Sequence, residues 1–379
     1  MNEFEFDTNE EQMENSVPPK DIFAFNESRS CADLKRMHDK NQIDISPDFQ
    51  REKVWSQPSK TRFLDSLLKN LPIPSMCISL DISSQKRFVI DGLQRISTVI
   101  EFLSAIENAD DNYLLSKLDD IDERLSGKSA LEIKNNYPDI VSIIENVSIP
   151  VTVLRCDLSK EEHLEYIFTI FHRLNTGGTK LNNQEIRNCI FSGEFNKLLS
   201  KCAENNQSSL KILLGSENSR FSYEEFILRF FAFQDNFNIY KGKLVSFLNT
   251  YMDSKKKKEK AEKEKQKKGE IISSVDSLSE EINYKEALFE RTIRLIVDNI
   301  TPSSGTNFSK TVLEAILYGV AKNIEKIELI SNKTKLNDLY IELMETEEFQ
   351  SSELQNDTLK KKKVTARLEV AESKFSNLE

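Results

Sequence analysis

The spacing of apolar residues changes character near residue 190 of this 379-residue chain. Before that point, short apolar runs of strand length alternate with helical patterns; from about Phe195 onward the period is helical throughout. Phe63, Leu64, Leu67, Leu68 and Leu71 share one face of a helix that Ser59 can cap and that Pro72 and Pro74 stop. Two runs of strand length follow, Met76 to Leu80 and Arg87 to Ile90. Ile96, Val99, Ile100 and Leu103 then line the face of a second helix. The polar stretch 108–146 reads as helical and partly exposed. Ile149, Val151 and Val153 alternate with Pro150, Thr152 and Leu154, which is the period of a strand. Leu164, Ile167, Phe168 and Phe171 predict a helix over Glu161 to Leu174, broken by the loop signal Asn175-Thr-Gly-Gly178. Asn182 with Glu185 three residues on has the form of a capping box, so a further helix starts there.

In the helical part, the aromatic run Tyr223 to Phe233 predicts core. Lys255 to Lys268 holds nine lysines and three glutamates. That blocky charge suits a solvated helix or a disordered loop, and a nucleic-acid contact is the sharper alternative. Helices are expected over 284–300 and 310–330, with a short one after Lys360 to Lys363. The expected organisation is a disordered acidic tail over 1–20, a mixed α/β domain over 21–192, a helical domain over 193–350 with a lysine-rich insert at 254–282, and a polar C-terminal segment over 351–379. The fold class is α+β.

Composition narrows the function classes. Hydrophobic residues make up 38% and charged residues 30%, an ordinary globular balance diluted by polar segments. The formal net charge of -10 gives no overall attraction to nucleic acid or to anionic membranes, so any such contact must be local. Between Arg51 and Arg95 there are eight basic residues against four acidic ones, opposite in sign to the whole chain. The stretch from Met1 to Pro19 carries acids and no base, unlike a secretory signal, and no apolar run is long enough to span a bilayer, so the protein is expected in the cytoplasm. The five cysteines are odd in number and none are in CxxC pairs, so reduced packing thiols are expected. His38, His163 and His172 share no metal-ligand spacing with one another or with a cysteine.

Three segments carry candidate chemistry. In Arg87-Phe-Val-Ile-Asp-Gly-Leu-Gln-Arg95 a strand meets a turn at Asp91-Gly92 and a helix opens at once. The free amides and positive dipole end of that helix face the turn. Arg95 stands in the first helical turn against the dipole, an arrangement that an anion such as phosphate would neutralise. Gln94 can orient a water or a phosphate oxygen, and Asp91 can hold Mg²⁺ or accept a proton from an attacking water. A plain turn with an exposed Arg95 is the competing reading. In Pro47-Asp-Phe-Gln-Arg-Glu-Lys-Val-Trp55, the large apolar Phe49 and Trp55 would fix Gln50 and Arg51 in one pose, Trp55 packing and Arg51 facing a ligand. In Phe171 to Arg187, Gly177 and Gly178 allow a loop to wrap an anion or a ribose and Asn175 can hydrogen-bond a base or sugar; a helix C-cap followed by an N-cap explains the same residues.

Taken in order, P-D-F-Q-R-x-x-V-W, L-P-I-P, V-I-D-G-L-Q-R and F-x-R-L-N-T-G-G-x-x-L-x-x-Q-E-I-R resemble the GmrSD-type restriction endonuclease N-terminal domain, the domain of unknown function 262. The resemblance is read onward through Arg220 to Phe233 and covers most of the chain from about residue 21. It implies a ParB and sulfiredoxin-like fold, with nucleoside triphosphate binding and hydrolysis at the D-G-Q-Q-R segment. Here that segment is Asp91, Gly92, Leu93, Gln94 and Arg95. The resemblance implies Asp91, Gln94 and Arg95 as catalytic residues and Asp91 as the Mg²⁺ ligand. Gly92, Ser97, Thr98, Asn175, Thr176, Gly177 and Gly178 would surround the nucleotide, and Phe49, Gln50 and Arg51 would meet DNA or phosphate. It further implies a role in phage defence through DNA restriction or sensing of modified DNA.

Two departures stand out. Leu93 replaces the first glutamine of the pair, which removes one polar group. No histidine follows His172, so the HNH nuclease that many relatives carry C-terminally is not expected in this chain. The expectation is a Mg²⁺-dependent nucleoside triphosphatase that acts on DNA, itself or through a partner defence protein or nuclease, with homo-oligomers possible and no membrane involved. A nucleotide-gated switch without hydrolysis is the alternative, and a scaffold with a vestigial pocket is the third reading.

Overall fold

The computed structural model describes residues 18–45, 55–174, 182–215, 221–268, 277–302, 307–330, 332, 334–355 and 357–377. The acidic tail over 1–17 lies outside the described residues. The chain divides into two units, 1–190 and 191–379.

The first unit is built on a five-stranded mixed sheet in the order β1-β5-β3-β4-β2. Its strands are β1 (Phe23–Ser30), β2 (Ile43–Asp44), β3 (Met76–Asp81), β4 (Arg87–Asp91) and β5 (Ser148–Cys156). β3 and β4 form an antiparallel hairpin, β3 runs parallel to β5, and the short β2 runs parallel to β4. The alternation read for β5 is realised: Ile149, Val151 and Val153 are at most 1% exposed. The hairpin is irregular at one point. Cys77 pairs with Asp91 but Ile78 pairs with Val89, so Ile90 is an extra residue on β4, a β-bulge directly before Asp91.

The helices of this unit are α1 (Cys31–Asp39), α2 (Gln57–Leu68), α3 (Leu93–Glu107), α4 (Ala130–Asn136), α5 (Pro138–Asn146), α6 (Glu161–Leu174) and α7 (Asn183–Ile190). α1 and α2 each pack against α3 and α5, whereas α6 and α7 lie against β4. α2 begins earlier than Ser59 implied. Its N-cap is Ser56 and Pro58 occupies the first turn, where its missing N–H costs nothing. Ser59 sits inside the helix with its hydroxyl 3.0 Å from that of Ser56. Only the end of the polar stretch 108–146 is helical. The part before Ser129 is irregular, because turn formers such as Asp110, Asn112 and the left-handed Gly127 interrupt it. Ser129 then closes a capping box with Glu132. The box expected at Asn182 is also present: Glu185 N donates to Asn182 Oδ1 at 2.8 Å and Asn182 N to Glu185 Oε2 at 2.6 Å. All five cysteines are free and buried.

Among its described residues the second unit is largely helical, with α8 (Glu194–Asn205), α9 (Gln207–Leu214), α10 (Ser222–Asn236), α11 (Leu244–Lys267), α12 (Leu278–Asn299), α13 (Lys310–Lys322), α14 (Ile324–Leu329), α15 (Lys335–Met344), α16 (Ser351–Gln355) and α17 (Lys361–Ser376). The mixed sheet followed by helices is the α+β class read from the periodicity. α10 is the centre of this unit, and its aromatic run joins Phe195, Tyr251 and Phe289 in a set of edge and tilted ring contacts. The first part of the lysine-rich insert is helix, the continuation of α11. Lys255 turns inward onto Asp235 at 3.2 Å, and Lys285 meets the same carboxylate at 2.7 Å. Burial raises the Asp235 pKa, but the two lysines outweigh it and hold the carboxyl below its usual range. The C-terminal helix is not merely polar. Val364, Leu368, Ala371 and Phe375 of α17 are buried against α13, where Gly319 lets the backbones approach. No helix among the described residues is long and apolar enough to cross a membrane.

Candidate functional site at the Asp91–Arg95 turn

The bulge at Ile90 delivers Asp91 to the last position of β4, half-exposed at the C-terminal end of the strand. Gly92 follows with φ +93° and caps α3 without a side chain to satisfy its amides. Two constraints require glycine here. The backbone angle is one that other residues resist, and a Cβ would stand 2.6 Å from Cγ of the fully buried Met76. The first amides of α3 therefore open onto the turn.

Arg95 reaches back across this opening. Its Nη2 donates to Asp91 Oδ2 at 2.9 Å and its Nη1 to the carbonyl of Pro74. The guanidinium is 13% exposed and the carboxylate 35%. The cation that stands against the helix dipole is thus neutralised by the protein's own carboxylate. Pro74 joins the site through its backbone; its signal in the sequence is the L-P-I-P run, which sets the carbonyl beneath Arg95. Beside the pair, burial together with the Asp91 carboxylate pushes the Cys77 thiol up to about 12, so it is an inert packing group.

Gln94 is committed as well. Its Oε1 accepts the backbone N–H of Trp55 at 2.9 Å, although the two lie 39 residues apart. Trp55 is half-buried rather than core, with its ring edge-on to Phe63 at 5.4 Å. This contact brings the end of the F-Q-R segment to the turn. Phe49, Gln50 and Arg51 themselves lie outside the described residues. Ser97 is partly exposed on α3. Thr98 corrects the expectation: it is fully buried and its hydroxyl donates to the Gln94 carbonyl at 2.7 Å, an intrahelical bond that withdraws it from any ligand at the turn. Asn175, Thr176, Gly177 and Gly178 lie outside the described residues. The helices on either side of them, α6 and α7, pack against β4, and His172 Nε2 meets Asn183 Oδ1 at 3.0 Å between them.

Among the described residues, four of the cations that make up the local basic excess are paired. Lys60 pairs with Glu101, Arg62 with Asp120, Lys69 with Asp65 and Arg95 with Asp91. Two of these carboxylates, Glu101 and Asp120, come from outside the counted stretch, which is why counting along the sequence overstates the charge.

Among the described residues, Asp21, Glu162 and His163 converge closely enough to suggest a metal. The hydrogen bonds argue for a structural role. His163 Nδ1 accepts the Asp157 amide at 2.9 Å, so Nε2 carries the proton and donates to Asp21 at 2.9 Å. Lys160 also holds Asp21, and these two partners, Lys160 foremost, bring its pKa down to about 2. Asp91 is not part of this group. A single half-exposed carboxylate suits Mg²⁺ that takes most of its remaining ligands from phosphate and water.

Residues 34–192 match the family described as GmrSD restriction endonuclease, N-terminal domain. The match ends with the first unit and does not reach the Arg220 to Phe233 segment. No curated protein and no solved structure matches the chain.

Proposed function

Residues 34–192 are a GmrSD-type restriction endonuclease N-terminal domain, and on that footing we propose that this protein is a restriction-type phage-defence factor that binds a nucleoside triphosphate at the Asp91–Arg95 turn, hydrolyses it with Mg²⁺, and couples it to DNA. The carrying observation is the exchangeable ion pair at a helix end left open by Gly92. An i,i+4 pair with a half-exposed carboxylate holds together by only about 0–1 kcal/mol. A triphosphate offers Arg95 a stronger, charge-assisted partner. Asp91, once released, is placed to hold Mg²⁺ and to align a water. Mg²⁺ when bound supplies neutralisation of the phosphate charge. The α3 amides and Arg95 grip phosphate oxygens, and Ser97 stands one turn along the same helix.

The test is an equilibrium binding and phosphate-release panel with the four nucleoside triphosphates on the purified chain, without DNA. Wild type should bind at least one of them and release phosphate. Arg95→Ala should lose binding, and Asp91→Asn should bind but turn over poorly. Absence of binding by wild type to all four would discard the reading.

One observation favours the non-hydrolysing switch as a second reading. Gln94, expected to orient water, has its side-chain oxygen on the Trp55 amide. A nucleotide that shifts the first turn of α3 would therefore pull on the chain that leads back to Phe49, Gln50 and Arg51. Tight binding without phosphate release, together with a nucleotide-dependent change in DNA affinity, would select this reading.

A further inference from the structure

Two long helices of the second unit begin side by side, and neither has a side-chain cap. α11 follows Lys243 and α17 follows Lys360. Gly242 joins the two starts. It has a φ of +87°, and a Cβ there would lie 3.2 Å from the Lys361 amide nitrogen and 3.9 Å from the Leu359 carbonyl. Tyr240 fixes the same junction from below, its hydroxyl donating to the Leu359 carbonyl at 2.6 Å.

The residues around this junction run against the helix dipoles. Lys241, Lys243, Lys360, Lys361 and Lys362 are all exposed and stand where two positive helix ends meet. Asp357 takes Lys360 at 2.6 Å, and Glu353 takes the neighbouring Lys363 at 3.1 Å. No ion pair occurs for Lys241, Lys243, Lys361 or Lys362 among the described residues. A second feature lies beneath them. Arg367 of α17 is 2% exposed and reaches back to the turn before its own helix, where Nη2 donates to the Thr358 carbonyl at 2.6 Å. Its Nη1 is buried there without a partner. Glu314 and Glu353 act on this guanidinium, yet burial prevails and lowers its pKa. Unmatched cations, uncapped amides and a spare buried donor together call for an anion.

We propose that the joined starts of α11 and α17 form a binding site for the phosphate backbone of a nucleic acid. Lys241, Lys243, Lys361 and Lys362 take neighbouring phosphates, and the first amides of α17 close on one of them above Arg367. The cations are long, exposed and drawn from two separate chain segments, which fits an extended polyanion better than a single enclosed phosphate. A chain of net charge -10 needs such a local device to hold nucleic acid at all. The inference rests on the reading that this protein handles DNA, and it locates that contact outside the GmrSD-type domain.

The experiment is fluorescence anisotropy of a short labelled DNA duplex with the full chain across a salt series. Removing one lysine–phosphate interaction should lower the log–log salt slope by about 0.9. Lys361→Ala with Lys362→Ala should lower it by roughly 2 and weaken binding on the order of tenfold at low salt. The paired Lys→Arg variant should restore both. Lys265→Ala with Lys267→Ala, exposed at the far end of α11, should leave the slope unchanged. The proposal is overturned if the first pair has no effect, if the second pair carries the loss, if inorganic phosphate binds but the duplex does not, or if wild type does not bind the duplex. Nucleotide binding measured on the same samples without DNA reports separately on the Asp91–Arg95 turn.

Discussion

Arg95 and Asp91 are each other's counter-ion, joined at 2.9 Å across one turn of chain at the mouth of α3. The arrangement explains how an arginine is tolerated at the positive end of a helix. It also means that a ligand must compete for both groups at once.

Removal of either partner should therefore affect function far more than stability. Asp91→Asn is expected to shift unfolding free energy by no more than about 1 kcal/mol, and to reduce nucleotide-dependent phosphate release at least tenfold, on the order expected for a lost general base or metal ligand. Urea denaturation beside a phosphate assay separates the two. A large stability loss with turnover intact would show the pair to be structural.

Gly92→Ala should be costly for two additive reasons. The left-handed backbone and the 2.6 Å approach to Met76 Cγ both resist a methyl group. A loss of about 1–3 kcal/mol is expected, read as a lower urea midpoint with unchanged slope. Gly319→Ala should do the same in the second unit, since a Cβ there would stand 2.6 Å from the Ala371 carbonyl oxygen.

Trp55 is the single tryptophan, so its fluorescence reports on the turn without labelling. Gln94→Ala removes the acceptor of its backbone N–H. The emission should shift to the red and become easier to quench, and a nucleotide that alters wild-type emission should alter the variant's less. Identical spectra for the two proteins would show that this hydrogen bond does not position the ring.

Asp21 links acid stability to β1 and α6. Its folded pKa of about 2, set by Lys160 and then His163, lies below the ordinary carboxylate value. The group therefore contributes stability fully above the unfolded pKa near 4, and that contribution is lost as the pH falls toward 2. Asp21→Asn should flatten the acid limb of a stability–pH profile between those values and leave the alkaline limb unchanged.

The elements that position the site are legible because their periods are local. The runs Met76 to Leu80 and Arg87 to Ile90 and the helix with Ile96, Val99 and Ile100 on its face follow from spacing alone, as does the Asn182–Glu185 box, and the strands extend each run by one residue. The contacts that complete the site are not legible. The Pro74 carbonyl on Arg95 and the Trp55 amide on Gln94 arise only when distant segments meet, and nothing in their local pattern announces a partner. Proximity along the chain misplaces Thr98 at the ligand, because helical phase turns it inward with Val99 and Ile100. The spacing of Val364, Leu368, Ala371 and Phe375 does encode a buried face, but the lysines before it mask that signal with polarity.

The extra residue at Ile90 makes the length of β4 more consequential than its composition. Side chains on a strand alternate between faces. Deleting Ile90 would keep Val89 opposite Ile78 and Asp91 opposite Cys77 but remove the bend and extra twist of the bulge, so that Asp91 would leave the direction in which it meets Arg95. Conservative substitutions along this strand should survive in natural variants, whereas single-residue deletions there should be purged.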